Sequence, residues 1–348
     1  MLNFPGKNPK EAELIAAARR GDMQRFSELT EPFRRELQVH CYRILGSLHE
    51  AEDMVQETML RGWTRLETYE GRASFRAWLY KIATNACLDL LDRRRSRRLL
   101  PTQAGPSANP GEDVVPPSTE IFWMEPLPDE WLEDISAINP EARYSESESI
   151  SLAFLTALQM LSPRQRAVLI LRDVLDFSAN ETAEVLDLTV SAVNSTLHRA
   201  RISLSQDYQK QEAEPEDERT QSLLHLFLKA WESADVAGLV ALLKEEATLA
   251  MPPSPSWFQG KDAIGIFVSK TVFAEGGMFG GEAAQRWKLI RTRANSSPAF
   301  IIYQRIEENK YQPFGVHVLS IEGNQLSQIT SFIDPDLPGY FASQQTLK

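Results

Sequence analysis

Apolar positions recur at helical spacing through the first hundred residues. They fall at Leu14, Ala17 and Ala18, then at Leu37, Cys41, Ile44 and Leu45, then at Met54, Val55, Met59 and Trp63, and finally at Phe75, Leu79, Ile82, Ala83, Ala86 and Leu90. One helix face repeats every 3.6 residues, so this spacing predicts a helical domain over 10–100. Gly21-Asp22, Gly46-Ser47 and Glu70-Gly71-Arg72 punctuate it. The period vanishes over 101–149, where eight prolines stand. That segment reads as an acidic linker, extended and self-repelling. It is not inert polymer, because Phe122-Trp123-Met124 and Trp131-Leu132 sit inside it and such aromatics dock. Helical spacing returns over 150–206, and a second charged linker covers 207–217. Over 218–340 a helical stretch, LLHLFLKAWESADVAGLVALLK, precedes strand-like runs at 287–293, 300–305, 314–321 and 326–333. Helices followed by antiparallel strands predict an α+β domain. The fold class is multidomain, with two all-α domains and a C-terminal α+β domain.

Charge changes the picture. The 348 residues carry a net −11. Over 102–150, eleven carboxylates face one base, Arg143. Over 61–100 the sign reverses, with ten bases against four acids. An acidic total therefore leaves room for nucleic acid, because local potential attracts phosphate. No apolar run approaches the roughly 18 residues that span a bilayer, and the opening MLNFPGKNPKEAEL lacks the apolar core of a signal peptide. The two cysteines, Cys41 and Cys87, lie on apolar helix faces and read as buried structural thiols. Together these features argue against a membrane protein, a disulfide-rich secreted domain and a zinc finger. A cytoplasmic protein without metal or cofactor is expected.

The sharpest local signal is SANETAEVLDLTVSAVNSTLHRARISL, 178–204. A first helix over 180–186 stops at Asp187-Leu188, and Thr189, or slightly later Ser191, caps a second helix. Ala183 is small where the helices approach, Val193 points to the core, and Asp187 tolerates the left-handed backbone of a tight turn. This is helix-turn-helix spacing, whose second helix enters the major groove. The outer face of that helix carries Ser191, Asn194, Ser195, His198, Arg199 and Arg201, polar base-edge readers followed by phosphate-binding cations. The alternative is a two-helix corner with a solvated face. His198 supplies at most one phosphate contact.

Three blocks, HEAEDMVQETMLRGWTRLETYEGRASFRAWLYKIATNACLDLLDRRRSRR, LQMLSPRQRAVLILRDVLDFSANETAEVL and the helix just described, resemble a bacterial sigma factor of the extracytoplasmic-function group. A generic DNA-binding regulator would leave the first block unexplained. The resemblance implies that Asp53, Gln56, Glu57 and Arg61 dock core RNA polymerase through its beta-prime and beta subunits. It implies that Arg72, Ser74, Arg76, Trp78, Lys81, Asn85, Arg93 and Arg94 open and hold the promoter −10 element, and that the second helix of the 178–204 motif reads the −35 element. The chemistry is readable apart from the family. Extruding a base costs a few kcal/mol, and an aromatic face returns about 1–3 kcal/mol by stacking. Trp78 and Phe75 have core packing as the alternative, Arg164 and Arg166 touch phosphate or solvent, and RRRSRR is a phosphate-binding run or a solvated tail.

EATLAMPPSPSWFQGKDAIGIFV, 246–268, resembles the opening of a cone-shaped SnoaL-like domain, and WMEPLPDEWL resembles the linker of sigma factors that carry one. The cone implies a pocket for a small apolar molecule. Trp257, Phe258 and Trp287 are candidate lining, and His317, Tyr303 and Asp334 are candidate polar groups whose strand parity the sequence leaves open. The function implied is promoter recognition and transcription initiation with core RNA polymerase and promoter DNA. The C-terminal domain would be a built-in regulator acting through contacts or a small ligand, and an anti-sigma factor is a further candidate partner. The competing readings are a SnoaL-like isomerase or cyclase fused to a DNA-binding module and a regulator that binds duplex DNA alone. The acidic linker is either a spacer or a strand-like occupant of the polymerase channels, anchored by Trp123 and Trp131.

Overall fold

The computed structural model describes residues 9–94, 97–117, 120–133, 148–208, 217–276, 279–308 and 310–341. Arg95, Asp134 and most of the 207–217 linker lie outside the described residues. Two compact units emerge, one of residues 1–98 and 131–210, the other of 99–130 and 211–348.

The first unit is helical. Helices α1 (Pro9–Arg19), α2 (Met23–Leu45), α3 (Leu48–Arg65) and α4 (Phe75–Arg94) form its first part. Their ends are chemically specified. Asp22 accepts a hydrogen bond from the Arg25 amide to start α2, Gly46 at φ 73° closes it, and Ser47 caps α3. Helices α5 (Leu152–Met160), α6 (Pro163–Leu169), α7 (Ala179–Leu186) and α8 (Val190–Asp207) form the second part. Ser162 with Gln165, and Ser178 with Glu181, make reciprocal capping boxes at the starts of α6 and α7.

The two helical parts pack as one body. Tyr80 on α4 meets Phe177 with ring centroids 5.3 Å apart. Arg166 on α6 is buried and donates to the carbonyls of Leu158 (3.0 Å), Gln159 (3.2 Å) and Ile44, and to Gln159 Oε1 (2.6 Å). It therefore faces neither phosphate nor solvent, correcting the expectation for this residue. Desolvation pushes its pKa down to about 9, and the guanidinium is held by carbonyl dipoles. Cys41 and Cys87 are buried, and burial raises the Cys87 thiol well above its ordinary range.

The second unit is α+β. Helices α9 (Glu218–Glu232), α10 (Val236–Ala241) and α11 (Lys261–Lys270) accompany a six-stranded sheet. Its strands are β1 (Leu243–Ala250), β2 (Trp257–Gln259), β3 (Trp287–Ala294), β4 (Ser297–Glu307), β5 (Lys310–Glu322) and β6 (Gln325–Phe332), in the order β2-β1-β6-β5-β4-β3. The strand-like runs read from the sequence correspond to β3 to β6. The sheet is not wholly antiparallel, because β1 pairs β6 in parallel, with Leu249 opposite Ile329. Phe227, Trp231, Phe258, Phe267, Trp287, Phe300 and Leu319 fill the core. Gly315 on β5 is required by space, since a Cβ there would collide with the Phe332 carbonyl.

The Pro-rich segment divides between the units. Residues 99–117 and 120–130 form a strap on the α+β unit rather than a free, self-repelling chain. Trp257 Nε1 donates to the Gly105 carbonyl (2.9 Å), and the Ala108 amide donates to the Trp257 carbonyl (2.7 Å). The Val115 amide donates to Ser256 Oγ (2.9 Å), while Ser254 Oγ donates to the Val115 carbonyl (2.7 Å). Farther on, Leu127 and Asn295 exchange two hydrogen bonds, and Asp129 pairs with Arg293 at 3.1 Å. Met124 and Leu127 are buried. The charge that was expected to extend the chain is offset by apolar anchors and by this pairing. Trp131 belongs to the helical unit and lies 4.4 Å beneath the Arg35 guanidinium.

Candidate nucleic-acid interface and interior cavity

Helices α7 and α8 build the helix-turn-helix. Asp187 adopts φ 52° at the end of α7, and the Leu188 amide bonds the Ala183 carbonyl at 2.9 Å. Asp tolerates this left-handed conformation better than most residues. Thr189, rather than Ser191, caps α8 by accepting from the Ala192 amide at 3.1 Å. Val193, Leu197, Ala200 and Leu204 turn inward at helical spacing. The opposite face then exposes Ser191, Asn194, Ser195, His198 and Arg199. Arg201 departs from this set. It makes a two-pronged pair with the buried Asp173, at 2.9 and 2.6 Å, which binds α8 to the segment after α6.

The same division runs along α4 and its approaches. Arg72 and Arg93 are exposed, and Arg72 pairs with Glu70. Ser74 is occupied as the cap of α4, accepting from the Ala77 amide at 3.1 Å. Trp78 is half-buried against Tyr69 and Phe75, with centroids 5.4 Å away in each case. Arg76 is bound to the buried Glu36 at 3.0 Å, with Tyr80 under its guanidinium at 4.7 Å. Burial raises the Glu36 carboxyl above its ordinary range despite that partner. Arg94 is paired with Glu50 at 2.7 Å and its side chain is only 7% exposed. Lys81 donates to the Glu184 carbonyl (2.8 Å) and to Asp187 Oδ1 (2.6 Å), and Asn85 donates to the Val185 carbonyl (3.4 Å). Lys81 and Asn85 thus hold the end of α7 and its turn.

On α3, Asp53 and Gln56 are exposed, whereas Glu57 and Arg61 are half-buried and paired with each other at 2.7 Å. Arg61 also reaches Asp89 at 3.3 Å. Sequence reasoning passed over Leu60, which is 59% exposed one turn beyond Gln56. Its helical spacing from Asp53 and Gln56 was the available signal.

In the α+β unit a cavity of about 110 Å³ opens between the helices and the sheet. Trp287 and His317, two of the five pocket candidates, line it, together with Trp231, Met251, Phe279 and Phe314. The other three do not. Trp257 holds the strap, Phe258 stacks on Phe267 at 4.3 Å within the core, and Tyr303 follows the inward Ile302 on β4 and so faces the other side of the sheet. Asp334 caps a turn, accepting from the Asp336 amide at 2.9 Å. His317 is buried, its Nδ1 lies 2.8 Å from Ser331 Oγ, and desolvation lowers its pKa to about 3, so it is neutral at pH 7.

Two family models match the helical unit, Sigma-70 region 2 over residues 29–97 and Sigma-70, region 4 over 151–204. The ECF RNA polymerase sigma factor SigG of Mycobacterium tuberculosis strain H37Rv is 43% identical over 329 residues, covering 92% of this chain and 84% of SigG. The chain belongs to the ECF sigma factors of the sigma-70 family. SigW of Bacillus subtilis, also an ECF sigma factor, is 26% identical over 194 residues, covering 55% of this chain and 92% of SigW. In fold, the crystal structure of SigJ from M. tuberculosis, an extracytoplasmic function sigma factor, matches 92% of this chain and 99% of its own at TM-score 0.55 and 18% identity. The ECF sigma factor described here thus combines helical sigma regions 2 and 4 with a C-terminal α+β unit built on a six-stranded sheet. Its curated relatives are sigma factors, not enzymes. A sigma factor works in transcription initiation with core RNA polymerase and DNA. Among the described residues, no helix is long and apolar enough to cross a membrane.

Proposed function

We propose that this sigma factor reads the −35 element with the face of α8 that carries Ser191, Asn194, Ser195, His198 and Arg199. The observation that carries the proposal is the exposure of all five on one helix behind a well-capped turn. Short polar side chains suit base edges, and Arg199 suits guanine or phosphate. Arg201 serves this face indirectly, by fixing α8 on Asp173. The −10 element falls to α4 and the segment before it. Arg93 is exposed toward phosphate, Arg72 becomes available once it leaves Glu70, and Lys81 and Asn85 become available once they release α7 and its turn. Asp53, Gln56 and Leu60 on α3 form the docking face for core polymerase, with Glu57 and Arg61 beneath it.

The α+β unit is the regulator. It holds residues 99–130 through hydrogen bonds and buried side chains, and that segment must come free before it can lie in a polymerase channel. Control over the strap gives this unit a physical handle on initiation.

Run-off transcription with purified bacterial core polymerase tests the reading. The full-length protein should initiate only with core, Arg199→Ala should lower output from promoters with an intact −35 element, and weakening the strap with Asn295→Ala should change output. Absence of core-dependent initiation across a genomic promoter library overturns the sigma assignment. Unchanged output from the Asn295 variant overturns the regulatory one.

A further inference from the structure

Two side chains hold the bend between α3 and α4. A short 3₁₀ turn, Leu66–Thr68, follows α3, and Gly71 at φ 71° then turns the chain toward Ser74, the cap of α4. Carbonyls at a helix end lack partners within the helix and carry partial negative charge. Arg19, in the last turn of α1, meets them. Its Nε donates to the Leu66 carbonyl at 3.4 Å and its Nη2 to the Tyr69 carbonyl. Tyr69 is buried. Its hydroxyl donates across the bend to the Ala73 carbonyl at 2.9 Å, and its ring packs against Phe75 and Trp78 with centroids 5.5 and 5.4 Å away. Burial raises its pKa, so the hydroxyl stays a donor at pH 7.

From these contacts we infer that Tyr69 is a positioning residue for promoter opening: it fastens the Trp78 ring and the 70–74 bend to one another, and Arg19 fastens Tyr69 to α1. The inference rests on the −10 reading proposed above. A base leaving the duplex needs an aromatic face and a cation for its backbone, placed together. Trp78 is half-buried on Tyr69 and Phe75, and Arg72 stands exposed on the bend. Tyr69 need not touch DNA. It removes motion. Residues 70–74 would otherwise be ordered only when DNA arrives, and ordering costs conformational entropy at every residue. A bend closed during folding meets that cost beforehand. The hydroxyl is the group that matters, because phenylalanine would supply the same ring and could not close the bend.

Packing alone would account for a ring in this cluster. Phe33 and Phe75 are rings of that kind, packed on each other at 6.0 Å and carrying no polar group. Tyr69 differs from them in two respects. Its hydroxyl serves the backbone of the bend that carries Arg72, and its own carbonyl is held by a cation from another helix.

The test uses full-length protein, purified bacterial core polymerase and two templates. One is a duplex promoter on which the parent initiates, and the other is the same promoter with a mismatched, already open −10 segment. Tyr69→Phe keeps the ring and removes the hydroxyl. On the duplex it should slow opening about fivefold, read as permanganate reactivity of unpaired thymines, which is the loss of one hydrogen bond. On the mismatched template it should match the parent, because the DNA is open from the start. Core binding should be unchanged on both. Arg19→Gln should act in the same direction, and Arg19→Lys, which keeps a charged donor, should restore opening. Parent-like opening of the duplex by Tyr69→Phe would overturn the inference. So would a loss that persists on the mismatched template, since that would make Tyr69 a general stabiliser. Arg72→Ala and Trp78→Ala tell this failure from that of the −10 reading. If both open the duplex like the parent, the reading falls and the inference with it. If both open it poorly while Tyr69→Phe does not, the inference alone falls.

Discussion

Both units bury a neutral histidine, and they use it differently. In the helical unit, His40 Nε2 meets Thr84 Oγ1 at 2.8 Å, Nδ1 has no partner, and the Tyr80 ring packs against the imidazole with centroids 4.8 Å apart. In the α+β unit, His317 also satisfies one nitrogen and leaves the other unmet, but beside a cavity. An unpartnered nitrogen in close packing is simply a cost to stability. The His317 ring instead borders open apolar space, where a small rearrangement can meet that nitrogen. The units also share a buried arginine held by carbonyls. Arg166 binds four in the helical unit, those of Ile44, Leu158, Gln159 and Leu161, and Arg286 binds those of Val272, Ala274 and Gly281 at 2.9–3.0 Å in the other. Within each unit, then, arginine can be a structural bolt, and a basic sequence run does not say which arginines face DNA.

The largest expected effect tests those bolts. Arg166→Met should destabilise the helical unit by about 3 kcal/mol, because several buried carbonyls lose charge-assisted donors at once. Arg286→Met should act comparably on the α+β unit. Chemical denaturation followed by hydrogen exchange separates the two, each variant exposing amides of its own unit first. If both variants open the same amides, the units unfold as one and the comparison loses its basis.

Next comes the contrast on α8. Arg199→Ala should weaken promoter binding by about tenfold, within the 1–3 kcal/mol of a lost base or phosphate contact, at unchanged stability. Arg201→Ala should behave oppositely. It strands the buried Asp173 carboxylate, so the thermal midpoint should fall, while the salt dependence of DNA binding should stay that of the parent. A reduced salt slope for Arg201→Ala would make it a phosphate contact after all.

The helix-turn-helix was legible because its signals are local. Ser178 with Glu181, Asp187 and Thr189 determine caps and a turn without reference to distant residues. Arg201 and Arg166 were not legible for the opposite reason. Their partners, Asp173 and the carbonyls of Ile44 and Leu158, come together only in tertiary packing. The strand Leu243–Ala250 was hidden in the helical-looking run that precedes it, since LLKEEATLA alternates only weakly. The cavity was half legible. Trp287 and His317 were on the candidate list, but Trp231 comes from α9, and no pattern in the chain announces that a helix will close over a sheet at that point. The strap was missed because composition suggested repulsion, whereas Val114, Met124 and Leu127 are spaced to dock.

Acid sharpens the histidine comparison. The folded pKa of both His40 and His317 is lowered to about 3 by burial, against 6.5 for the exposed side chain. The unfolded chain therefore binds more protons between those values, and stability falls as pH drops below about 6.5. At pH 5 each histidine should contribute a loss of about 2 kcal/mol relative to pH 7. His317→Phe should remove its share from the α+β unit and leave the acid sensitivity of the helical unit, where His40 sits, as it was.

The smallest effect concerns the clasp between α4 and the helix-turn-helix. Lys81 and Asp187 are paired at 2.6 Å, but their side chains are 38% and 73% exposed. Exposed pairs contribute less than about 1 kcal/mol, so Asp187→Asn should hardly move the denaturation midpoint. Asparagine also keeps the left-handed backbone at φ 52° accessible. Asp187→Ala, which lacks that tolerance, should cost about 1 kcal/mol more, and the difference between the two variants isolates backbone strain from charge. Their transcription should diverge from their stability. If Lys81 must leave Asp187 to reach the −10 element, Asp187→Asn should initiate at least as well as the parent, while Lys81→Ala should initiate poorly although it breaks the same pair. Equal losses from Asp187→Asn and Lys81→Ala would mean that the pair itself, rather than a freed lysine, is what initiation needs.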